Sequence, residues 1–357
     1  MNSRSRMRAA ALFVTLAVLP AACGGSADDA PAAPDAPAAP AAPSAEDNPA
    51  VTLRAAHAQP PDHPFQVCGY DTMTAYFAAN PDANITLEVF GGSQLGSNEE
   101  TMEQVRAGNL DMTIPGLGSL TIFDRRIGAM ETAFAFEDFD HVQEIFDGEI
   151  GQSLILPLRD EFNTRIVGPL WKLGDRHLTG NEIITSPAQM AGKTIRTQDQ
   201  PASRATGRAL GANPVPINFS ELYLALSQGV VDHQENPIVQ INAINLNEVQ
   251  DYVMLTGHIV NVTILIVAES TYQSLTESQQ GHLEAAAEQA AARVLECIDE
   301  GEREIVARWE ADGSMTLIPQ SEIDMDAFRA LAEDIYLNDP ELGPLWGELY
   351  LAIRATR

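Results

Sequence analysis

Residues 219–237 read Phe-Ser-Glu-Leu-Tyr-Leu-Ala-Leu-Ser-Gln-Gly-Val-Val-Asp-His-Gln-Glu-Asn-Pro. The spacing over Glu221–Gln228 predicts a helix that stops at Gly229, and Val230–Glu235 follows as a strand. Glu221 stands in the first turn, where it favours the helix dipole, and Tyr223 packs. Working outward, Pro214–Asn218 is a strand, Ser203–Leu210 a helix and Lys193–Thr197 another strand. Before them, Ser186-Pro-Ala-Gln-Met-Ala-Gly192 has a serine cap, a first-turn proline and a terminal glycine. Further upstream, Thr86–Phe90 reads as a strand ending in Gly91-Gly92. Residues 97–108 read as a helix with Ser97 and Glu100 as a capping box. Leu110–Ile114, Arg165–Trp171 and, downstream, Ile264–Ala268 complete the strands. Strands alternating with helices indicate an α/β fold.

The N-terminus is set apart by composition. Arg4, Arg6 and Arg8 precede an apolar run, Ala9–Pro20, too short to span a bilayer, so residues 1–23 read as a secretory signal. Two readings of Cys23 stand. It is lipid-modified after cleavage and tethers the protein, or cleavage is ordinary and the protein is free. Residues 24–50 are Ala, Pro, Asp and Ser-rich and are expected to be a disordered linker. Residues 51–357 are long enough for two domains. The chain carries 21 basic against 50 acidic residues, a net charge of −29. Loss of the signal's arginines makes it more negative still. That argues against nucleic acid or an anionic membrane surface as partner.

Cys68 and Cys297 are the remaining cysteines. In an oxidising compartment such a pair bridges, and two buried free thiols are the alternative. Cys297 falls on the stripe Leu283, Ala287, Ala290, Val294, Ile298, Ile305 and so faces the protein body. Thr276–Gly313 is nearly free of breakers and starts with a capping box (Thr276, Gln279). It is one long helix or a helix broken at Gly301. No His-Glu-x-x-His or comparable spacing supports a metal, and no cofactor is implied. No nucleophile–base set has supporting context, and Gly91-Gly92 is only a turn, so no enzyme activity is expected.

The motif at 219–237 is preceded by Gly211-Ala-Asn-Pro214 and Gly192-Lys-Thr-Ile-Arg196. Phe90-Gly-Gly-Ser-Gln-Leu-Gly96, Leu173-Gly-Asp-Arg-His-Leu178 and Glu248-Val-Gln-Asp-Tyr252 occur in the same order as well. Together, over roughly residues 51–320, they resemble the substrate-binding proteins of TRAP transporters, the DctP family. The resemblance implies a two-lobed periplasmic binding protein with a ligand cleft between lobes and a long helix crossing both. It places lobe one at 51–173 plus 262–300, and lobe two at 174–261 plus 301–357. It implies a periplasmic protein that captures a small organic acid and hands it to TRAP membrane subunits.

The resemblance also names residues. Arg196 would hold the ligand carboxylate, because a guanidinium offers a planar fork of donors that stays charged. Arg176 would face the ligand, Asn236 would add a hydrogen bond and Phe219 an apolar wall. Trp171 and His57 are further candidates near the cleft. Each has a plainer reading: a surface arginine, an Asn-Pro turn, a core aromatic. His233 departs from the family's glycine and is expected to add a titratable side chain at the pocket edge. Gly116 stands where some sugar-acid-binding relatives have a glutamate. That departure favours a smaller acid or a ligand with a second acidic group. A ligand-sensing protein that partners a receptor is the alternative function.

Overall fold

The computed structural model describes residues 48–357. The signal, Cys23 and most of the expected linker lie outside the described residues. The last residues of that linker are part of the fold. Asn48 is buried, and its Nδ2 donates to the Asp82 carbonyl at 2.7 Å. Gln279 Nε2 donates to the Pro49 carbonyl at 2.9 Å.

Among the described residues, eleven strands form three sheets. In chain order they are β1 (Val51–Ala56), β2 (Ile85–Phe90), β3 (Met112–Thr113), β4 (Thr164–Ile166), β5 (Trp171–Gly180), β6 (Thr194–Thr197), β7 (Asn213–Pro216), β8 (Gln234–Pro237), β9 (Tyr252–Thr263), β10 (Ile266–Ala268) and β11 (Thr316–Ile318). The first sheet runs β2-β1-β3-β10-β4, the second β11-β9-β5-β8, and β6 pairs with β7. Parallel pairing of β1 with β2 and β3 gives the first sheet its α/β character, while β10 joins it antiparallel. Two separate apolar clusters fill the interior. One holds Phe134, Ile195 and Tyr336, the other Leu53, Trp171 and Trp309.

The expected strand Arg165–Trp171 is two strands in two sheets. Gly168 takes φ +75°, a conformation that L side chains avoid, and turns the chain between β4 and β5. β5 and β9 pair along most of their lengths and carry the chain between the two main sheets. The strand expected at Val230–Glu235 lies at Gln234–Pro237 instead. Pro237 is tolerated because β8 is the edge of its sheet.

Helix Glu277–Asp312 is continuous through Gly281 and Gly301. The Thr276–Gln279 capping box starts it, and Gly313 at φ +69° closes it. Its 36 residues span about 54 Å at 1.5 Å per residue. Cys68 and Cys297 are joined by a disulfide. The bridge fastens the turn Phe65–Tyr70 to this helix. Two helices not expected from the sequence, Met325–Asn338 and Pro344–Arg354, complete the chain.

Candidate functional site

Arg196 is a buried cation with unmet donors. It sits on β6 with 1% of its surface exposed. Its backbone N donates to the His233 carbonyl at 2.8 Å, which ties β6 to the start of β8. Its Nε donates to the Ile217 carbonyl at 2.8 Å, while Nη1 and Nη2 have no protein partner. Burial, reinforced by nearby Arg176, lowers its pKa to about 10, so it stays charged at neutral pH. A buried cation with unmet donors is costly and is stabilised by an anion. The neighbouring Thr197 Oγ1 is likewise buried without a partner.

Arg176, on β5, is differently placed. Its Nη2 donates to Glu235 Oε1 at 2.7 Å and to the Glu235 carbonyl at 2.7 Å. Nε reaches the other Glu235 oxygen. Nη2 also meets Asn236 Oδ1 at 3.0 Å, and Nη1 donates to Asn261 Oδ1 at 2.9 Å. Most of its donors are therefore used inside the protein. Burial opposes both charges, but Arg176 holds the Glu235 carboxyl well below the usual carboxylate range. Glu235 in turn raises Arg176. Asn236 is positioned from both sides, with Nδ2 donating to Gln234 Oε1 at 2.5 Å. Gln234 is held by Thr179, its Nε2 donating to Oγ1 at 2.7 Å.

Sequence reasoning missed Glu235, Asn261 and Glu131. Each carried a signal. Glu235 is a carboxylate inside an otherwise neutral buried strand, and Asn261 interrupts the apolar run of β9. Glu131 projects from a stretch whose neighbours Met130, Thr132 and Ala133 are buried. Its carboxylate accepts from the Gly118 backbone N and, at 3.2 Å, from Asn261 Nδ2. Burial raises its pKa, against the pull of Arg176 and the Gly118 N–H.

A cleft of about 250 Å³ is lined among others by Ala58, Ser97, Glu99, Asp199, Ile217 and Phe219, and it meets Arg196 through Ile217, whose carbonyl accepts from Arg196 Nε. Phe219 is half-buried in the turn before helix Leu222–Ser227 and forms part of its wall. Gln200, next to the lining residue Asp199, is fully buried. Its Nε2 donates to Glu99 Oε1 at 2.8 Å and to Ser119 Oγ at 3.2 Å.

Trp171 is fully buried, 5.8 Å from the Phe65 ring and 5.7 Å from Tyr70. A Cβ on Gly69 would lie 2.2 Å from its ring, so glycine is required there. His57 stacks on Tyr70 at 5.5 Å and bonds Gln66 Oε1 through Nε2 at 2.9 Å. Its Nδ1 is buried without a partner, and burial lowers its pKa. His57 and Trp171 thus share one aromatic cluster, in which Trp171 is a core residue. His233 is buried. Its ring lies over Gly180, where a Cβ would stand 2.5 Å from Cδ2, and its nearest carboxylate is Glu182 at 3.8 Å. Burial lowers its pKa too. Glu221 is exposed, and Tyr223 donates through its hydroxyl to Glu248 Oε2 at 2.8 Å. Among the described residues no cluster of His, Cys, Asp and Glu has metal-binding geometry, and no helix is long and apolar enough to cross a membrane.

Comparison with known proteins matches this architecture. The model of bacterial extracellular solute-binding proteins, family 7 (DctP), covers residues 55–339. The sialic acid-binding periplasmic protein of Vibrio cholerae is 29% identical over 252 residues, 71% of this chain and 77% of the relative. A solute-binding protein of Roseobacter denitrificans is 33% identical over 271 residues, 75% of this chain and 82% of the relative. Among solved structures, a TRAP periplasmic solute-binding protein of Roseobacter denitrificans with bound 3-deoxy-D-manno-oct-2-ulosonic acid superposes with a TM-score of 0.79. It is 25% identical and covers 87% of this chain and 100% of its own. Another from the same organism, with bound L-galactonate, has a TM-score of 0.75 at 30% identity, covering 84% of this chain and 98% of its own. The two-lobed α/β fold and the extent of the match agree: this chain belongs to family 7 of the bacterial extracellular solute-binding proteins, the periplasmic receptors of TRAP transporters.

Proposed function

We propose that this protein captures one small organic acid by pairing its carboxylate with Arg196 and delivers it to TRAP membrane subunits. The observation that carries this reading is a buried guanidinium whose Nη1 and Nη2 are unmatched by the protein. Those two nitrogens present the planar edge that suits a carboxylate bidentately. Asn236, pre-positioned by Gln234 and Arg176, supplies a further hydrogen bond, and Phe219 an apolar wall. Arg176 acts by holding Asn236 and by adding positive potential, with Glu235 balancing its charge. Trp171 and His57 support the cleft wall through their cluster with Tyr70. The lobes, 51–173 plus 262–300 and 174–261 plus 301–357, close on the ligand, and the closed form is what the membrane subunits recognise. Differential affinity for open and closed states is what such recognition requires.

A thermal-shift screen against an organic-acid library, followed by calorimetry, identifies the ligand. Arg196→Lys keeps the charge but loses the fork. It should weaken binding of that acid by about 2 kcal/mol, roughly 30-fold, with the fold intact. Unchanged affinity in a folded Arg196→Lys protein would sink the assignment.

A further inference from the structure

A second cavity is built on the same strand as Arg176. Successive residues of a strand point to opposite faces, so Asp175 and His177 of β5 turn away from the Arg176–Glu235 pair. Both line a cavity of about 440 Å³ beside the helix Glu277–Asp312. The helix contributes Glu302, Val306 and Glu310, spaced four apart on one face. Leu255 of β9 and Leu317 of β11 add apolar surface. No lysine or arginine is among the lining residues.

The acids of this cavity lack partners. Glu302 Oε2 lies 3.8 Å from where a Cβ on Gly174 would stand, next to Asp175. Lys172 pulls on both carboxyls, but its ammonium is bonded to Asp299 at 2.6 Å. Among the described residues neither Asp175 nor Glu302 has a side-chain hydrogen bond. Burial raises the Glu302 carboxyl, and Asp175 adds to the rise. Asp175 has an exposed side, yet the protein around it raises its carboxyl as well. A cation set between the two would relieve this crowding.

His177 is an independent sign of a ligand. Only 7% of its surface is exposed. Nδ1 accepts from the Gly257 backbone N at 3.0 Å. Burial, with His258 nearby, keeps the ring neutral, so Nε2 carries the proton and is a donor. Nε2 bonds to no described residue, while the ring borders the cavity. A buried donor left without a partner is costly, and an acceptor in the cavity would satisfy it.

We propose that this cavity binds a small organic cation of the aliphatic amino-alcohol class. Its ammonium sits between Asp175 and Glu302, its chain lies against Leu255, Val306 and Leu317, and its hydroxyl accepts from His177 Nε2. An organic acid is the wrong occupant, because three carboxylates and no basic side chain line the space. The site is therefore separate in place and in charge from the one built on Arg196. Its occupant would pin the half of the long helix beyond Cys297 to the second sheet.

The test uses 6-amino-1-hexanol as the probe, beside hexylamine, which lacks the acceptor, and 1,6-hexanediol, which lacks the charge. Calorimetry is run near pH 7 in about 0.15 M salt, where loose attraction to an acidic surface is screened. The amino alcohol should bind with a Kd of about 1 mM or tighter. Hexylamine should bind about fivefold more weakly and the diol about tenfold or more, in line with one neutral and one charged hydrogen bond. Glu302→Gln should weaken the amino alcohol about tenfold. Val306→Trp fills the space between the acids and should abolish binding. The proposal is overturned if the amino alcohol does not bind wild type, or if the diol or hexylamine binds equally well. Unchanged affinity in either folded variant overturns it too. If one variant does not fold, the other and the wild-type series decide.

Discussion

Arg176 and Glu235 form an ion pair in which both side chains are almost wholly buried, 7% and 5% exposed, with Nη2 2.7 Å from Oε1. The pair has a consequence for recognition. One of the two arginines expected to face the ligand is already neutralised, so only Arg196 offers an unbalanced charge. The two residues are 59 positions apart and meet because β5 and β8 pair, with Arg176 opposite Pro237.

Glu235→Gln should therefore damage the fold as well as the site. It leaves Arg176 as an uncompensated buried cation, which typically costs about 3–5 kcal/mol. Urea denaturation at pH 7 measures the loss, and a change below about 1 kcal/mol would show that the pair contributes little. The Glu235 carboxyl is depressed in the fold. Its contribution is therefore present above the unfolded value of about 4.3 and is lost as pH falls below that.

A second pH effect starts higher. His63 and His177 are buried, and burial lowers each to about 3, with nearby His57 and His258 respectively adding to the shift. They are neutral in the fold and protonated in the unfolded chain below about 6.5. Their stabilisation is complete above that pH and is lost as pH falls toward 3. Well below 6.5, each contributes a slope of about 1.4 kcal/mol per pH unit. Urea midpoints between pH 7 and 5 should fall accordingly, and His63→Gln should flatten the profile. A flat wild-type profile would mean that these rings are not buried in the folded protein.

Gln200 offers a handle on closure. Its two hydrogen bonds reach Glu99, which lines the cleft, and Ser119. Gln200→Ala should weaken the acid found by library screening about tenfold, given a net contribution of roughly 1 kcal/mol for a typical hydrogen bond. Small-angle scattering should show a larger radius of gyration for the variant than for wild type, each without ligand. No change in either measurement would mean that these bonds do not hold the cleft shut.

The expectation for Arg196 and Asn236 came from the resemblance, through several motifs occurring together in order, because a lone strand arginine or an Asn-Pro pair has a plainer local reading. The Glu235–Arg176–Asn261–Glu131 network was not legible, because its members come from β8, β5, β9 and the 125–131 turn. Only sheet pairing makes them neighbours. β9 escaped notice for a local reason: Gly257, His258 and Asn261 disrupt its alternation. The split of Arg165–Trp171 depended on the positive φ of Gly168, which hydrophobic period does not report. His233 was expected at the pocket edge because it stands where the family has glycine, and its ring faces Gly180.

The long helix Glu277–Asp312 has a mechanical side. At one end Gln279 and Thr276 grip the chain at residues 48 and 49, and near the middle Cys297 is bolted to the turn at Cys68. It behaves as a beam clamped along its first half. Its second half runs past Val239 at Gly301 with no covalent fastening. In the closing motion proposed above, bending of this helix would fall beyond Cys297, and the fixed half would supply the stiffness that resists it.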